Sequence, residues 1–189
     1  MTKKELREKY LKERKKWSHS EVQLLSDKIF SNFQSRFPIS PSQKNHIIMT
    51  ISHLNEVETD SFIQYFWENN VQVFVPKMVG NQLIAVEYNS DTKMESNSWG
   101  ISEPAGSEDA AVIDYDYILT PLLYCDKNGN RVGYGKGYYD RFFSEISVKC
   151  LKIGLSFFQP KEIIEDVSHW DTRLDYLITP DTILSFKGF

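Results

Sequence analysis

Short apolar segments alternate with amphipathic helical segments along most of this chain, and no other feature restricts its fold as strongly. Several of the apolar segments carry apolar residues on both faces, which is typical of strands buried inside a parallel sheet. The alternation therefore predicts an α/β protein whose largely parallel sheet is covered by helices on both sides. The predicted strands span residues 47–52, 71–76, 82–88, 115–120, 151–157 and 174–179, and the predicted helices span 3–16, 18–36, 59–70 and 138–146.

Two capping boxes mark where the first two helices begin. Thr2 and Ser18 each precede a glutamate by three positions, so a hydroxyl and a carboxylate can satisfy free amides of the first turn. Lys3 and Arg7 are four residues apart and therefore project from one face of the first helix. Residues 89–110 are rich in polar residues and also contain Gly and Pro, which predicts a long loop.

The composition of the 189 residues is that of an ordinary globular protein. Apolar residues make up 41% and charged residues 25%, which argues against disorder, and the length predicts a single domain over residues 1–189. No apolar run is long enough to span a membrane, no apolar signal segment opens the chain, and two cysteines cannot form a disulfide framework. We therefore expect a cytoplasmic protein that contacts no membrane.

Positive charge is concentrated at the start of the chain. Residues 1–16 carry a net charge of +5, whereas the remaining residues carry −9. A nucleic-acid-binding protein usually presents a basic face over a whole domain, so this distribution argues against a nucleic-acid partner. A local anion site fits the distribution better, and we expect a monomer that acts on a small molecule.

A glycine-rich stretch just before the fourth predicted helix is the best candidate for that anion site. Gly133, Gly135 and Gly137 alternate there, and glycine lets backbone amides approach a ligand without interference from a Cβ atom. Together with the free amides of the following helix, these amides can form a cradle for phosphate groups. Lys136 and Arg131 add full positive charge to the cradle.

The carboxylate of Asp140 lies in the first turn of that helix, where it can hold hydrated Mg²⁺ against bound phosphates or simply cap the helix. The stretch is neither a P-loop nor the dinucleotide-binding fingerprint, because it lacks the spacing of both motifs. A simple hairpin is the alternative, since Asn128-Gly129 is a favourable turn pair. Spacing alone favours the phosphate site, because such cradles are common at strand-to-helix junctions of α/β proteins.

The same stretch resembles the signature of a known family. The run Asp126-Lys-Asn-Gly-Asn-Arg-Val-Gly-Tyr-Gly-Lys-Gly-Tyr-Tyr-Asp140 is similar to the central motif of the 5-formyltetrahydrofolate cyclo-ligases, also called methenyltetrahydrofolate synthetases. The resemblance covers nearly the whole chain. Weaker likenesses occur in the order that the family has them: Lys3-Lys-Glu-Leu-Arg7, Asn55-Glu56-Val-Glu-Thr59, Val75-Pro76, Glu103-Pro104, and His169-Trp-Asp171 with Leu174-Asp175.

The resemblance implies a three-layer α/β/α sandwich with a mostly parallel sheet, on which the N-terminal helices pack. It also implies an enzyme that converts 5-formyltetrahydrofolate to 5,10-methenyltetrahydrofolate and cleaves ATP to ADP and phosphate, with Mg²⁺. Phosphorylation of the formyl oxygen would make that oxygen a good leaving group, and the folate's own anilino nitrogen would close the ring. Such an enzyme needs to position its substrates and neutralise charge rather than supply a nucleophile.

By resemblance, four overlapping groups of residues form the site. Arg131 and Lys136 are expected as catalytic phosphate contacts, and Asp140 and Asp171 are expected to hold Mg²⁺. The residues expected to bind ATP are Lys3, Lys4, Arg7, Arg131, Gly133, Tyr134, Gly135, Lys136, Gly137, Tyr138 and Tyr139. The residues expected to bind the folate are Ile51, Glu56, Tyr134, Gly135, Lys136, Gly137 and Tyr138.

Each of these assignments has a purely structural alternative. The cations of the first helix suit a solvated face, and Asp171 suits a turn. Glu56 suits a helix cap or a solvated loop. Tyr138 and Tyr139 suit a helix face that is buried in the core. At the level of function, the alternatives are a non-catalytic folate- or nucleotide-binding protein of the same fold and, by analogy of fold alone, a sugar-phosphate isomerase.

Overall fold

The computed structural model describes residues 1–48, 54–97, 100–106, 108–133 and 138–187. The helices in these ranges are α1 (Lys3–Arg14), α2 (His19–Arg36), α3 (Asp60–Glu68) and α4 (Tyr138–Glu145). The strands are β1 (Lys44–Ile47), β2 (Gln72–Val79), β3 (Gln82–Glu87), β4 (Met94–Ser96), β5 (Ser102–Pro104), β6 (Tyr117–Pro121), β7 (Tyr124–Cys125), β8 (Arg131–Val132), β9 (Leu151–Leu155), β10 (Tyr176–Ile178) and β11 (Ile183–Ser185). Thr2 and Ser18 cap α1 and α2 as predicted, each in a complete capping box.

Seven of the described strands form one sheet in the order β11-β10-β9-β6-β1-β2-β3. The five strands from β10 to β2 run parallel to one another, and an antiparallel strand flanks them at each edge. The register places Asn45 of β1 between Val73 of β2 and Tyr117 of β6. The predicted α/β class with a mostly parallel sheet is therefore confirmed.

Helices cover both faces of this sheet. Side chains alternate between the two faces along each strand, so neighbouring residues pack against different helices. Val73 and Val75 pack in one cluster with α2 and α3, whereas Phe74 between them packs in a second cluster with α4. In β6, Leu119 joins the first cluster and Ile118 joins the second. The protein is thus a three-layer α/β/α sandwich, as the resemblance implied.

The two N-terminal helices pack on different parts of the molecule. Ile29 and Phe33 of α2 belong to the cluster that covers the sheet. Leu6 and Tyr10 of α1 pack instead on the small antiparallel hairpin of β7 and β8. In the described part of the chain, neither these helices nor the other two have the length and apolarity that crossing a membrane requires.

The strands β1 and β2 differ from the predicted ones. β1 covers residues 44–47 rather than 47–52, because the buried polar residues Asn45 and His46 interrupt its apolar pattern, and residues 49–53 lie outside the described part. Pro76 was expected to end the next strand, yet β2 continues through it to Val79. The described pairing of β2 with β1 ends at Phe74, so Pro76 pairs with β3 alone and its missing amide is tolerated.

Three strands of three residues each, β4, β5 and β11, were not predicted. The stretch 89–110, predicted as a loop, contains the antiparallel pair β4 and β5, with Glu95 opposite Glu103. β11 pairs antiparallel with β10 and forms one edge of the main sheet. Strands of three residues are too short to show a period-two pattern, so only their pairing partners reveal them.

Candidate active site

The crevice of this fold lies between the carboxyl ends of β1 and β6. These two strands are parallel neighbours, but the helix that follows β1 covers one face of the sheet and the helix that follows β6 covers the other. Their connections therefore diverge, and ligands of open α/β sheets bind where this happens. The turn with Glu56 follows β1, and the glycine-rich stretch follows β6, so the topology brings both candidate segments to this crevice.

A tight hairpin precedes the alternating glycines, and a buried aspartate holds it together. The carboxylate of Asp126 accepts hydrogen bonds from the amides of Asn128 and Asn130, both at 2.9 Å, and from the amide of Ile164 at 3.2 Å. Gly129 has a φ of +81°, and a Cβ atom there would lie 3.0 Å from the Leu174 carbonyl oxygen. The hairpin alternative is therefore correct for residues 124–132. The exposed Gly133 comes only after it, so a phosphate cradle remains compatible with the hairpin.

The side chain of Arg131 connects the hairpin to α4 and to the segment that precedes β10. Its guanidinium donates one hydrogen bond to Oδ1 of Asp140 at 2.5 Å and another to the carbonyl oxygen of Thr172. It also lies 4.6 Å from the ring centre of Phe143. The side chain is 9% exposed; burial lowers the pKa of Arg131, and the Asp140 carboxylate opposes that shift.

The helix α1 brings two cations to the same place. The ammonium group of Lys3 pairs with Oδ2 of Asp171, and Nε of Arg7 donates to the carbonyl oxygen of Gly133 at 2.8 Å. Although burial acts to raise the pKa of Asp171, the Lys3 ammonium and the Ser168 amide hold it below its usual range. Lys4, the next residue of α1, is exposed.

The two aspartates expected to hold Mg²⁺ are each paired with a cation through one oxygen. Asp140 uses Oδ1 for Arg131 and for the Thr172 amide at 3.2 Å, and Asp171 uses Oδ2 for Lys3. Among the described contacts, the other oxygen of each carboxylate is left for a ligand, and carboxylate oxygens suit Mg²⁺. No group of three or more acidic, His or Cys side chains in the described ranges can hold a metal by itself. An ion here would therefore need oxygen ligands from water or from bound phosphates.

The turn that follows β1 is packed rather than solvated. Glu56 is 2% exposed, so the solvated-loop alternative is wrong for it. Asn55, which has a φ of +51°, donates through Nδ2 to the carbonyl oxygens of Arg14 at 3.1 Å and Trp17 at 3.0 Å. The end of α1 thereby fixes the turn, while the start of α1 carries Lys3 to Asp171.

The structure brings Lys3, Arg7, Arg131, Asp140 and Asp171 together in one connected set of contacts. Tyr139 is half-buried and its ring lies 6.4 Å from that of Phe143, which agrees with the structural alternative of a helix face that packs on the core. Ile51, Tyr134, Gly135, Lys136, Gly137 and the side chain of Tyr138 lie outside the described part of the chain.

Three residues of the site were not singled out from the sequence. Thr172 takes part through its backbone carbonyl and amide, and a backbone contact leaves no signal in residue type. Phe143 lies under the Arg131 guanidinium, and its helical position predicted only burial. Asp126 belongs to the family-like run, where its place before the Asn-Gly turn is the signal that identifies a hairpin-closing carboxylate.

Comparison with known proteins gives a consistent result. The model of the 5-formyltetrahydrofolate cyclo-ligase family matches residues 1–180 of this chain. The 5-formyltetrahydrofolate cyclo-ligase of Haemophilus influenzae is 31% identical over 142 residues, which are 72% of this chain and 76% of that protein. The 5-formyltetrahydrofolate cyclo-ligase of Mycoplasma genitalium is 30% identical over 175 residues, which are 92% of this chain and 94% of that protein.

A solved structure extends the similarity to the fold. The NMR structure of 5,10-methenyltetrahydrofolate synthetase from Aquifex aeolicus matches this chain with a TM-score of 0.79 at 29% sequence identity. The match covers 100% of this chain and 95% of that one.

Proposed function

This chain belongs to the 5-formyltetrahydrofolate cyclo-ligase family, and we propose that it converts 5-formyltetrahydrofolate to 5,10-methenyltetrahydrofolate while ATP is cleaved to ADP and phosphate. One observation carries the proposal for this chain's own residues. Cations and carboxylates come together from four segments of the chain: Lys3 and Arg7 of α1, Arg131 of β8, Asp140 of α4, and Asp171 before β10.

The reaction asks the protein for positioning and charge neutralisation. The γ-phosphoryl group of ATP passes to the formyl oxygen of the folate, and ADP leaves. The anilino nitrogen then attacks the formyl carbon and gives up its proton, the carbon–oxygen bond breaks, and phosphate departs with that oxygen. Because the substrate supplies the nucleophile, no nucleophilic side chain is needed, and the low barrier comes from holding the two substrates in line.

The cations are divided between direct contact and support. Lys136 is proposed to contact the transferred phosphoryl group, and Lys3 and Arg7 are proposed to contact the nucleotide from α1. Arg131 is proposed to act at the same phosphates while its other contacts keep Asp140 in place. The amides from Gly133 onward are proposed to cradle the phosphates, and Tyr139 is proposed to contribute to ATP binding.

The carboxylates are proposed to serve the metal and the folate. Asp140 and Asp171 would hold Mg²⁺ through their second oxygens, where the ion would neutralise part of the phosphate charge. Glu56, buried in the turn that follows β1, is proposed to bind the pterin or formyl region of the folate, with Ile51 and residues 134–138 completing the pocket. A buried carboxylate that accepts hydrogen bonds from a flat heterocycle provides both affinity and orientation.

A coupled assay tests the proposal. The protein is mixed with 5-formyltetrahydrofolate and Mg-ATP, and the near-ultraviolet band of the methenyl product is followed together with ADP. We expect the two products in equal amounts, and Lys136→Ala should lower kcat by about 10³-fold or more while the melting temperature stays unchanged. The exposed Lys127 of the same motif supplies the matched control, since Lys127→Ala should keep wild-type activity.

The other outcomes separate the alternatives. ADP without methenyl product would contradict the cyclo-ligase assignment, and the absence of both products would favour a non-catalytic folate- or nucleotide-binding protein. A large loss of stability in Lys136→Ala would instead favour a structural role for the glycine-rich stretch.

We also propose that the protein works as a cytoplasmic monomer. Cys125 and Cys150 are buried free thiols, which suits a reducing compartment, and burial raises the pKa of both thiols. Size-exclusion chromatography with light scattering should give a mass close to the 22.1 kDa of one chain.

A further inference from the structure

A buried lysine outside the nucleotide site joins the main sheet to the β4–β5 hairpin. Lys77 lies near the carboxyl end of β2, and its side chain is 9% exposed. Its ammonium group donates to the carbonyl oxygens of Pro104 at 2.6 Å and Ala105 at 3.1 Å, and to Oε1 of Glu95 at 3.0 Å. An ammonium group has three donors, and here all three are used to bind the hairpin.

Hydrogen bonds within the hairpin connect its two strands, so the strands should move together if the Lys77 contacts are lost. We call β4, β5 and Ala105 the arm. The amide of Ala105 donates to the carbonyl oxygen of Lys93 at 2.8 Å, which closes the base of the arm. Nearer its far end, Nδ2 of Asn97 donates to Oε2 of the buried Glu103 at 3.1 Å. These contacts hold the arm's own shape, whereas Lys77 holds its orientation relative to the sheet.

The arm is attached to β2, the neighbour of β1 on the side opposite β6. β2 is parallel to β1, and Lys77 lies three residues beyond Phe74, the last residue described as paired with β1. The arm is therefore attached at the carboxyl edge, next to the strand whose following turn carries Glu56. The segment with Arg131 and Asp140 follows β6, which is the neighbour of β1 on the opposite side. The crevice thus has a nucleotide side and an arm side.

We propose that Lys77 is a positioning residue that holds the arm as the wall of the folate side of the crevice. The inference rests on the proposed function and adds to it the element that confines the second substrate. A flat pterin must be held between surfaces to orient its formyl group, and a wall that pivots loses that orientation. Loss of the Lys77 contacts should therefore weaken folate binding and leave nucleotide binding unchanged.

The experiment compares two lysines of similar burial at opposite edges of the sheet. Lys77→Met removes the three hydrogen bonds and keeps the length of the side chain. Lys152 of β9, 14% exposed and 3.6 Å from Asp175, lies at the amino edge, so Lys152→Met reports any general loss of stability. We expect Lys77→Met to raise the KM for 5-formyltetrahydrofolate about tenfold, with the KM for ATP within about twofold, and Lys77→Arg to recover most of the loss. Lys152→Met should change neither KM.

Three results would overturn the inference: an unchanged folate KM in Lys77→Met, an equal rise in both KM values, or the same folate effect in Lys152→Met. If Lys77→Met does not fold, hydrogen exchange of the wild-type protein tests the inference instead. The folate should protect the Ala105 amide more than a non-hydrolysable ATP analogue does, and equal or no protection contradicts the arm's role. An inactive wild-type protein would contradict the proposed function, whereas an active one with a normal Lys77→Met variant contradicts the arm alone.

Discussion

At the residue scale, Arg131 shows how one side chain can serve both structure and chemistry. The sequence identified it as a cation beside a glycine-rich stretch, which predicts a phosphate contact. The structure shows that its planar fork already bridges Asp140 and the Thr172 carbonyl while its face covers Phe143. A lysine carries the same charge but cannot bridge two acceptors and cover an aromatic ring at once.

The prediction for Arg131 follows from that geometry. Arg131→Lys should lower kcat/KM for ATP by about 10²- to 10³-fold, because Asp140 loses the partner that orients it and the phosphates lose a placed cation. Steady-state kinetics measures the loss, with thermal unfolding recorded in parallel. The exposed Arg141 of α4 is the control, since Arg141→Lys should behave as wild type. Wild-type kinetics in Arg131→Lys would show that charge alone is required.

At the element scale, α1 couples the packing of the N-terminal segment to the nucleotide site. Its inner face buries Leu6 and Tyr10 against the β7–β8 hairpin and Ile164, with the Tyr10 and Tyr124 rings stacked 4.4 Å apart. Its start carries Lys3 and Arg7 to the site. The position of these cations is therefore decided by apolar contacts one turn away.

A substitution on the buried face of α1 tests this coupling. Leu6 is fully buried, so Leu6→Ala should lower the free energy of unfolding by about 2–5 kcal/mol. It should also raise the KM for ATP more than the KM for the folate, because Lys3 and Arg7 lose their anchor. Urea unfolding and steady-state kinetics provide the two readouts. The same substitution at the exposed Leu24 of α2 is the control. An equal rise of the KM values for ATP and for the folate in Leu6→Ala would argue against the coupling.

At the scale of the whole molecule, a buried histidine makes the fold sensitive to acid. His46 of β1 is fully buried between the Tyr115 and Phe142 rings, and neither ring nitrogen has a hydrogen-bond partner in the described part of the chain. Burial lowers the pKa of His46 from 6.5 to about 3.

Above pH 6.5 the imidazole is neutral whether or not the chain is folded, so its titration has no effect on stability there. Below pH 6.5 the unfolded chain binds a proton that the folded protein excludes, and stability falls by about 1.4 kcal/mol for each pH unit down to about pH 3.

The corresponding prediction concerns the dependence of stability on pH. Between pH 7.5 and pH 5, His46→Leu should lose about 2 kcal/mol less stability than the wild-type protein, measured by urea unfolding at both values. His169→Leu, a change at an exposed position, should keep the wild-type dependence. An unchanged dependence in His46→Leu would mean that other groups cause the acid sensitivity.

Local sequence patterns determined much about this protein. Hydrophobic periodicity and the capping residues Thr2 and Ser18 identified the helices and the longer strands, because these signals depend on neighbours along the chain. The run from Asp126 to Asp140 was specific enough to indicate the family, which the comparisons confirm. The periodicity failed at Asn45 and His46, two buried polar residues whose place in a central strand depends on the strands beside them.

Only the tertiary structure decided which distant residues meet. Lys3 pairs with Asp171 because α1 packs on the β7–β8 hairpin, and Arg131 of that hairpin pairs with Asp140 of α4. Lys77 holds the arm from its place on β2 in the sheet. Residue type and spacing show what a side chain can do, because chemistry and local geometry are properties of the chain itself. The partner of a side chain is set by the topology, because parallel strands bring their carboxyl ends together whatever their distance in sequence.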